Sequence, residues 1–451
     1  MPVNTGIDTE EMLPLPAGAV HEPSSWGARH AHDPTVVRDD DGTYYMFSTD
    51  AVANTRDIPS GVHVRTSADL VGWTYVGTAL GEVPEAAAAW SGAQGLWAPE
   101  VVRWPTGEWH MYYSASTFGS NTSAIGLAVA PSPSGPWEDR GLVVATRKGE
   151  HSQNAIDAAV AFDAGGNPWL TYGSFFSGIY ILPLDPGSGL PRVAGDLGSV
   201  IARRPRSVEG AVEGAFILRS PQDGRYILFT SYDSLFTTYN VRVAVADHIT
   251  GPYRDLRGIE MTDVDAPPAA VGTKVLASYQ FDGGTAWLAP GHNSVLTQKG
   301  PDGSDEHFVV HHVRFAAEPS QHVVQVRRLF FTAAGWPVIS PQPFAGLRSE
   351  AVPAPAEVAG TWQVLRFDPE STDIAPAVRM DLKCVEPRSA EFRGHPIAVR
   401  LRPAGPAGKP GTEIDAVVFG SWDWSRNRPA LSFSGIDQRG VAWSGTREPP
   451  L

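Results

Sequence analysis

Short runs of alternating hydrophobic and polar residues fill most of the chain, and a unit of about sixty residues recurs five times. Each unit opens with an apolar segment that carries one polar residue, followed by a turn and a strand rich in Tyr, Phe and Trp. Because the period is two and the turns contain Gly, this pattern predicts β-hairpins. The opening segments are HDPTVV from His32, APEVV from Ala98, IDAAVAF from Ile156, VEGAFIL from Val212 and GHNSVL from Gly291.

A second alternating pair follows each hairpin, as in GVHVRTSADLVGWTYVG, AIGLAVAPSPSGPWED and VRVAVADHITGPYRD. Four strands per unit are typical of one propeller blade. The long segments of period 3.6 that separate strands in βαβ units are missing from the sequence. The pattern therefore predicts an all-β chain whose residues 25–350 form a five-bladed β-propeller.

The pattern changes on both sides of this region. Residues 1–24 form an N-terminal extension, and a Pro- and Ala-rich stretch at 351–358 is typical of a linker. From 359 to 451 the alternating runs are short, as in TWQVLRF and EIDAVVFGSWDW. They predict a small antiparallel β-barrel domain, with a sandwich as the alternative.

Composition agrees with a β-rich protein and narrows its partners. Charged residues make up only 19% of the 451, while 46 Gly, 39 Pro and 14 Trp supply turns and aromatic faces. A net charge of -14 argues against nucleic acid or an anionic membrane and is compatible with a neutral polysaccharide. Cys384 is the single cysteine, which excludes an intramolecular disulfide and a cysteine zinc cluster.

The N-terminus lacks an apolar core of signal-peptide length, and no apolar stretch of the sequence is long enough to span a membrane. We therefore expect a cytoplasmic protein, or an extracellular one if a signal peptide has been removed. We also expect a monomer.

Propeller geometry turns the repeat into a candidate site. The first strand of each blade lines the central channel, so the polar residues of the opening segments should converge. Each has another interpretation, since Asp33 before Pro34 suits a turn and a lone histidine suits a loop. Their shared position in the repeat favours convergence. These residues are Asp33, Glu100, Asp157, Glu213 and His292.

The motifs around these residues resemble glycoside hydrolase family 43, and within it the endo-1,5-α-L-arabinanases. The run STFGSNTSAIGLA together with GSFFSGI is more specific to arabinanases than the carboxylates are. The terminal module resembles the lipocalin-like domain of two-domain arabinanases. The family-like segments are HDP at 32–34, LWAPE at 96–100, YYSASTFGSNTSAIGLA at 112–128, NAID at 154–157, GSFFSGI at 173–179, VEGAFI at 212–217 and GHNSV at 291–295.

The resemblance implies a role for each carboxylate. Asp33 would be the general base that activates water, Glu213 the general acid, and Asp157 the group that raises the pKa of that acid. Inverting hydrolysis needs acid and base about 6.5–9.5 Å apart, which residues on different blades can supply. Glu209 lies in the near-duplicate SVEG, and the AFIL after Glu213 selects the latter. Ala158 and Ala215 stand where the family commonly has proline.

The resemblance also implies a metal and a sugar-binding surface. His292 would approach an axial ion, usually calcium, that is held mostly by water, whereas a structural water cluster is the alternative. No organic cofactor is implied. Glu100 is assigned a structural role. Aromatic faces would stack on furanose rings unless they belong to the core, and polar groups would bind sugar hydroxyls. The substrate-binding candidates are Trp97, Phe118, Asn154, Ser174 and Phe175.

The implied partner is plant cell-wall arabinan or its arabino-oligosaccharides. Alternatives are an exo-acting α-L-arabinofuranosidase or β-xylosidase of the same family, and a non-catalytic sugar-binding propeller. The differing polar residues of the units argue against the last, because lectins repeat one pocket. Sucrose-active propellers carry NDPN-type and RDP segments that this chain lacks.

Overall fold

Five antiparallel sheets of consecutive strands surround a central channel, which confirms the predicted propeller. The computed structural model describes residues 12–50, 60–346, 356–387, 390–392, 394–404 and 412–449. Residues 1–11 of the predicted extension and 351–355 of the predicted linker lie outside the described residues.

Each of the first four blades is built from four neighbouring strands paired in chain order. Blade 1 has β1 (His32–Arg38), β2 (Tyr44–Thr49), β3 (His63–Ser67) and β4 (Thr74–Thr78). Blade 2 has β5 (Trp97–Arg103), β6 (Trp109–Ala115), β7 (Ser123–Ala130) and β8 (Glu138–Thr146). Blade 3 has β9 (Ala159–Phe162), β10 (Pro168–Tyr172), β11 (Ile179–Pro183) and β12 (Ser199–Ala202). Blade 4 has β13 (Val212–Arg219), β14 (Tyr226–Tyr232), β15 (Asn240–Ala246) and β16 (Thr273–Leu276).

Blade 5 is the last unit and has an extended sheet. A short strand, β17 (Tyr279–Gln280), precedes β18 (Trp287–Lys299), β19 (Asp305–Phe315), β20 (Glu318–Phe331) and β21 (Pro337–Ile339). The chain before blade 1 closes the ring, since His30 N–H donates to the His322 carbonyl at 2.9 Å and Val324 N–H donates to the Ala28 carbonyl at 2.9 Å. Closure therefore rests on backbone bonds between the two ends of the propeller sequence.

Helical segments are short in the described part of the chain. One α-helix, α1 (Glu85–Ser91), follows from the Ala-rich EAAAAWS and ends at Gly92, whose φ of 72° suits glycine. The 3-10 turns are Ala17–His21, Pro23–Ser25 and Arg206–Val208. Within the described ranges, no helix has the length and apolar character required to cross a bilayer.

The C-terminal strands close into the predicted barrel, which excludes the sandwich. The barrel strands are β23 (Gly360–Phe367), β25 (Val378–Glu386), β27 (Ile397–Pro403), β28 (Ile414–Asp423), β29 (Arg428–Asp437) and β30 (Ala442–Arg447). Apolar side chains that include Trp362, Leu382 and Phe433 pack together within it. Two further strands, β22 (Ala356–Glu357) and β26 (Glu391–Phe392), pair with each other, and β22 lies within the predicted linker. The exact domain boundaries stay predictions.

The barrel packs against blades 4 and 5. A strand between β23 and β25, β24 (Ala375–Pro376), pairs in parallel with β17, and the rings of Phe330 and Phe419 stack at 4.2 Å. Buried Lys274 of blade 4 donates through Nζ to the carbonyls of Asp368 and Ser371 at 2.9 Å each. The two domains therefore share both an apolar core and polar contacts.

The strand registers define one end of the channel as a candidate site. His32 at the start of β1 pairs with Thr49 at the end of β2, and Trp97 pairs with Ser114 in the same way. First strands thus begin where second strands end, and the loops between second and third strands border that end. We call this end of the propeller the channel mouth.

Candidate active site

A local break in the first strand presents the polar residues at the channel mouth. In four blades the register shifts across two residues, and the first of them has a left-handed backbone, with φ of 50° at Asp33, 40° at Ala98, 56° at Gly214 and 48° at His292. Asp157, with φ of 60°, occupies this position just before β9. Non-glycine residues rarely adopt this conformation, and bulges of this kind commonly re-aim side chains at functional sites.

The five predicted polar residues are not structurally equivalent, which refines the sequence interpretation. Asp33, Asp157 and His292 occupy the left-handed position itself, whereas Glu213 comes one residue before Gly214 and Glu100 two residues after Ala98. Glu100 consequently lies deeper between strands, where its carboxyl accepts a hydrogen bond from Thr35 Oγ1 at 3.2 Å. Burial raises the pKa of Glu100 to about 8, and its contacts agree with the structural role assigned to it.

Polar groups at the ends of the second strands hold these bulges in place. The N–H of Ala98 donates to Thr49 Oγ1 at 2.8 Å, that of Asp157 to Ser114 Oγ at 3.0 Å, and that of His292 to Ser231 Oγ at 2.8 Å. The N–H of Asp33 donates to His312 Nδ1 at 3.3 Å, which completes the contact between blades 5 and 1. Four of the five blades therefore fix the backbone of the bulge on the next blade through a side chain of the second strand.

Blade 3 departs from this arrangement in an informative way. Its second strand is followed by Gly173, which has no side chain to offer, and Gly173 N–H donates to the Ile156 carbonyl. The Asp157 carboxylate accepts the hydrogen bond from the bulge of blade 4 in its place, since Gly214 N–H donates to Asp157 Oδ2 at 3.2 Å. A Cβ on Gly214 would come within 3.0 Å of the His292 ring, so glycine is required at this crossing. Asp157 is thereby tied directly to the strand that carries Glu213.

Hydrogen-bond donors surround the Asp33 carboxylate. Its Oδ2 accepts from Thr49 Oγ1 at 2.6 Å, and its Oδ1 lies 2.8 Å from His32 Nδ1 and 3.0 Å from His292 Nδ1. Burial alone would raise the pKa of Asp33, but His292 and His32 hold it well below its usual range. Asp33 is therefore an ionised carboxylate at the mouth, as a general base requires.

Glu213 lies in the opposite electrostatic setting. Burial raises its pKa, and only partial relief comes from Ser174 Oγ, which donates to Glu213 Oε2 at 2.6 Å, and from His292. Burial also raises the pKa of Asp157 to about 8, opposed by His292 and reinforced by Glu213. This pair holds a proton near neutral pH, which suits a general acid. The competing candidate Glu209 is exposed on the 3-10 turn, away from these contacts.

His292 links the two settings. Its Nδ1 lies 3.0 Å from Asp33 Oδ1 and 4.0 Å from Asp157 Oδ2. Although burial opposes the charged ring, Asp33, Asp157 and Glu213 raise the pKa of His292 to about 10. Three carboxylates thus converge on one imidazole at the channel mouth.

The substrate-binding candidates separate into two groups. Trp97 and Phe175 are half-buried, and Phe118 is 82% exposed on the β6–β7 loop at the mouth. Asn154 and Ser174 are instead buried behind Glu213, where Ser123 Oγ donates to Asn154 Oδ1 at 2.7 Å and Asn154 Nδ2 donates to the Ser174 carbonyl at 3.3 Å. Their contacts brace the acid, and a direct sugar contact by either stays a prediction.

Sequence reasoning missed residues that act on the carboxylates from the neighbouring strands and loops. Thr49, His32 and His312 contact Asp33, and buried Tyr239 lies beside Glu213. A usable pattern was present, because FST, YYS, FTS and VHH lie at or near the ends of the second strands of four units, at the positions of Thr49, Ser114, Ser231 and His312. Tyr239, in the β14–β15 loop, has no such repeat partner.

Comparison with known proteins follows this geometry. The model of the family described as glycosyl hydrolases family 43 matches residues 27–337. The extracellular endo-α-(1→5)-L-arabinanase 2 of Bacillus subtilis (strain 168) is 29% identical over 450 residues, covering 92% of each chain. The extracellular exo-α-(1→5)-L-arabinofuranosidase ArbA of Cellvibrio japonicus is 32% identical over 327 residues, which cover 68% of this chain and 86% of the relative.

A solved structure extends the similarity to both domains. The crystal structure of endo-1,5-α-L-arabinanase from Thermotoga petrophila RKU-1 superposes with a TM-score of 0.77 at 26% identity, covering 95% of this chain and all of the other. The arrangement of propeller and barrel is therefore shared along nearly the whole chain.

Proposed function

The chain belongs to glycosyl hydrolase family 43, and from that membership we propose that it is an inverting endo-arabinanase that cleaves α-1,5-linked L-arabinofuranose chains. The observation that carries the proposal is the pairing of an ionised Asp33 with a proton-holding Glu213 at one channel mouth. Plant cell-wall arabinan and its oligosaccharides are the proposed substrates.

The chemistry divides between these two carboxyls. A water molecule attacks the anomeric carbon and gives its proton to Asp33, while Glu213 gives its proton to the glycosidic oxygen as the bond breaks. Asp157 acts through Glu213, because its negative charge and its contact with Gly214 favour a protonated, fixed acid. Proton exchange with solvent then restores both groups.

Endo action is favoured over exo action by the extent of the similarity. The endo-acting relative and the endo-arabinanase structure match both domains, whereas the exo-acting relative matches 68% of the chain. Exposed phenylalanines on the loops of three consecutive blades also suit a polymer lying across the mouth, since furanose rings stack on apolar faces. These are Phe118, Phe176 and Phe236, which are 82%, 47% and 51% exposed.

Products from debranched arabinan test this proposal directly. Early products should be oligosaccharides of intermediate length, and NMR of the fresh products should show the inverted anomeric configuration. Release of arabinose alone would instead support the exo-acting alternative, for which the ArbA relative is the specific precedent. Unchanged hydrolysis by Glu213→Ala would refute the assignment of the acid.

Calcium at His292 is a further part of the proposal. His292 Nδ1 faces Asp33, so Nε2 is the nitrogen that would face an ion, and ion binding there would require the ring to give up its Nε2 proton. The neighbouring amide of Asn293 is buried and has no hydrogen-bond partner among the described residues. One nitrogen among many potential water ligands fits a largely hydrated ion, since calcium prefers oxygen. Bound there, the ion would supply positive charge beside Asp33 and Asp157.

The ion's presence is testable without an activity assay. Calorimetric titration of the chelator-treated protein with Ca²⁺ should show one site, and His292→Ala should lose it. Binding that survives in the variant would place the ion elsewhere.

We also propose that the protein acts outside the cell, because the relatives compared above are named as extracellular enzymes. The expectation of a monomer comes from the sequence and is a separate proposal. Detection of the protein in culture supernatant and light scattering of the purified protein test the two statements.

A further inference from the structure

Tyr239 lies beside Glu213 in the carboxylate cluster, yet the mechanism above does not use it. It ends the loop between β14 and β15, is 1% exposed, and directly precedes Asn240 at the start of β15. Charges on Glu213, Asp157 and Asp33 all act on its hydroxyl, with Glu213 the strongest of the three. One side chain therefore lies within the influence of acid, base and third carboxylate.

The ring is held by close packing. A Cβ on Gly291 would come within 2.3 Å of the Tyr239 ring, so the glycine before His292 leaves the space that the ring fills. The His312 ring lies on another side, with centroids 5.7 Å apart. Packing thus fixes where the hydroxyl points without help from the hydroxyl itself.

The hydroxyl is the unexplained part of this side chain. It is buried, and it has no hydrogen bond of ordinary geometry with any described residue. It nevertheless lies close enough to Glu213 to lower the pKa of that acid. Leaving a buried hydroxyl unpaired costs about 1–3 kcal/mol, so phenylalanine would fill the same space more stably if the oxygen had no task.

We propose that Tyr239 is a positioning residue whose O–H donates to the Glu213 carboxylate as that group gives up its proton. This deepens the proposed glycosidase function and rests on it. In the step, the Glu213 proton passes to the glycosidic oxygen and the bond to the anomeric carbon breaks. The Tyr239 O–H keeps its own proton and turns to the newly charged oxygen beside it.

The chemistry of the neighbours supports this direction of donation. Ser174 already donates to Glu213 Oε2 at 2.6 Å, so one further donor completes the stabilisation of an ionised carboxylate. Burial and the nearby carboxylates raise the pKa of Tyr239 well above its ordinary range, which keeps the phenol protonated. The interaction is worth most in the transition state, where negative charge develops on Glu213.

Tyr239→Phe tests the proposal because it keeps the packed ring. We expect kcat on debranched arabinan to fall about 10- to 100-fold with KM nearly unchanged, the size of a lost hydrogen bond to a charged group. Thermal stability should stay equal or increase, since an unpaired buried oxygen is removed. Tyr232→Phe is the matched control, because Tyr232 is buried at the end of β14 and, among the described residues, its hydroxyl donates to the Met261 sulfur alone, at 3.9 Å. That control should retain wild-type kcat.

Leaving-group dependence separates action through Glu213 from a general structural effect. A 4-nitrophenyl arabinobioside departs without a proton from the acid, so Tyr239→Phe should lose much less on it than on arabinan. Glu213→Gln should lose no further kcat when Tyr239→Phe is added. Equal losses on both substrates, additive losses in the double variant, or an unchanged kcat on arabinan would each overturn the proposal.

Failure of this inference is distinguishable from failure of the proposed function. If wild type cleaves arabinan and Tyr239→Phe matches it, only the inference fails. If wild type leaves arabinan intact, the proposed substrate is wrong. The same comparisons then decide the role of Tyr239 on whichever furanoside or pyranoside polymer the enzyme does cleave.

Discussion

The base side and the acid side of the channel mouth are equally buried but electrostatically opposite. On blades 1 and 5, two histidines and a threonine hydroxyl face Asp33 and hold its pKa well below the usual range. On blades 3 and 4, Glu213 and Asp157 face one another, and burial raises both pKa values. Similar burial therefore produces two different protonation states, and the neighbouring groups decide which one each carboxyl takes.

Removal of either carboxylate should give the largest effect. Asp33→Asn and Glu213→Gln should each lower kcat on arabinan about 10²- to 10⁴-fold, because general base and general acid catalysis contribute that much. A 4-nitrophenyl arabinobioside distinguishes the two roles, because its leaving group needs no proton from the acid. On this substrate Glu213→Gln should recover activity and Asp33→Asn should not. Steady-state kinetics on both substrates measure this.

Glu209→Gln is the control for that pair, since Glu209 is exposed on the neighbouring turn. Wild-type kinetics are expected for it. A large loss in Glu209→Gln, or recovery by Asp33→Asn on the aryl substrate, would reverse the assignment of the two sides.

Loss of a single hydrogen bond should give a smaller effect on each side. Thr49 Oγ1 receives the Ala98 N–H at 2.8 Å and therefore has its proton free to donate to Asp33 at 2.6 Å. Thr49→Val should lower kcat on arabinan about tenfold or somewhat more, while Thr49→Ser keeps the hydroxyl and should stay near wild type. Ser174→Ala on the acid side should lower kcat by a similar factor, because Ser174 Oγ donates to Glu213 Oε2, on which negative charge develops in the transition state.

If kcat on arabinan falls as far in Thr49→Ser as in Thr49→Val, the Thr49 hydroxyl does not stabilise Asp33 as argued. The loss would then come from altered packing around residue 49. Circular dichroism melting of the three variants checks that the fold is retained.

Sequence reasoning reached the blades and most of the carboxylates because both follow the repeat. The period-two alternation and Gly turns locate the strands, and the topology of a propeller brings their first strands together. The repeat misplaced Glu100, since only the backbone conformation at Ala98 shows that the carboxyl lies two residues beyond the functional position. Family resemblance, and not spacing, chose Glu213 over Glu209.

The rest depends on contacts between blades that a linear pattern does not state. The sequence predicts that Ser174 and Asn154 contact the sugar, but it does not predict that Ser174 donates to Glu213 or that Asn154 donates to the Ser174 carbonyl. His312 contacts Asp33 although 279 residues separate them in the chain. Tyr239 approaches Glu213 from a loop that has no counterpart in the repeat. Their roles follow from the close crossing at Gly291 and from burial, neither of which is visible in residue type alone.

Asp50 supplies the smallest and most selective test, because it adjoins Thr49 on the base side but faces no histidine. Its Oδ2 accepts the N–H groups of Gly61 at 2.9 Å and Leu96 at 3.0 Å. Burial nevertheless raises the pKa of Asp50 to about 7. If histidines and not burial keep Asp33 ionised, Asp50 should be the carboxyl that folding prefers to protonate.

The sign of the effect on stability follows from proton binding. A folded-state pKa above the unfolded one means that the folded protein binds more protons between about pH 4 and 7. The resulting stabilisation is complete below about pH 4 and is lost as pH rises through 7. Asp50→Asn removes this dependence, so its melting temperature relative to wild type should rise from pH 4 to pH 8. If a quarter of the shift in the Asp50 pKa is realised in solution, the difference in unfolding free energy is about 1 kcal/mol. This corresponds to a change in melting temperature of roughly 1–2 °C in a protein of this size.

Asp40→Asn is the matched control with the opposite sign. Asp40 is exposed and its pKa is lowered by Arg103, which donates to it at 2.7 Å. Its stabilisation is fully present above the unfolded pKa and is lost only as pH falls below about 4, so between pH 4 and pH 8 the variant should keep a nearly constant difference in melting temperature from wild type. Parallel melting curves for Asp50→Asn and Asp40→Asn across this range would show that backbone N–H donors alone suffice to keep a buried carboxylate charged here. The histidines around Asp33 would then no longer explain the difference between the two sides of the mouth.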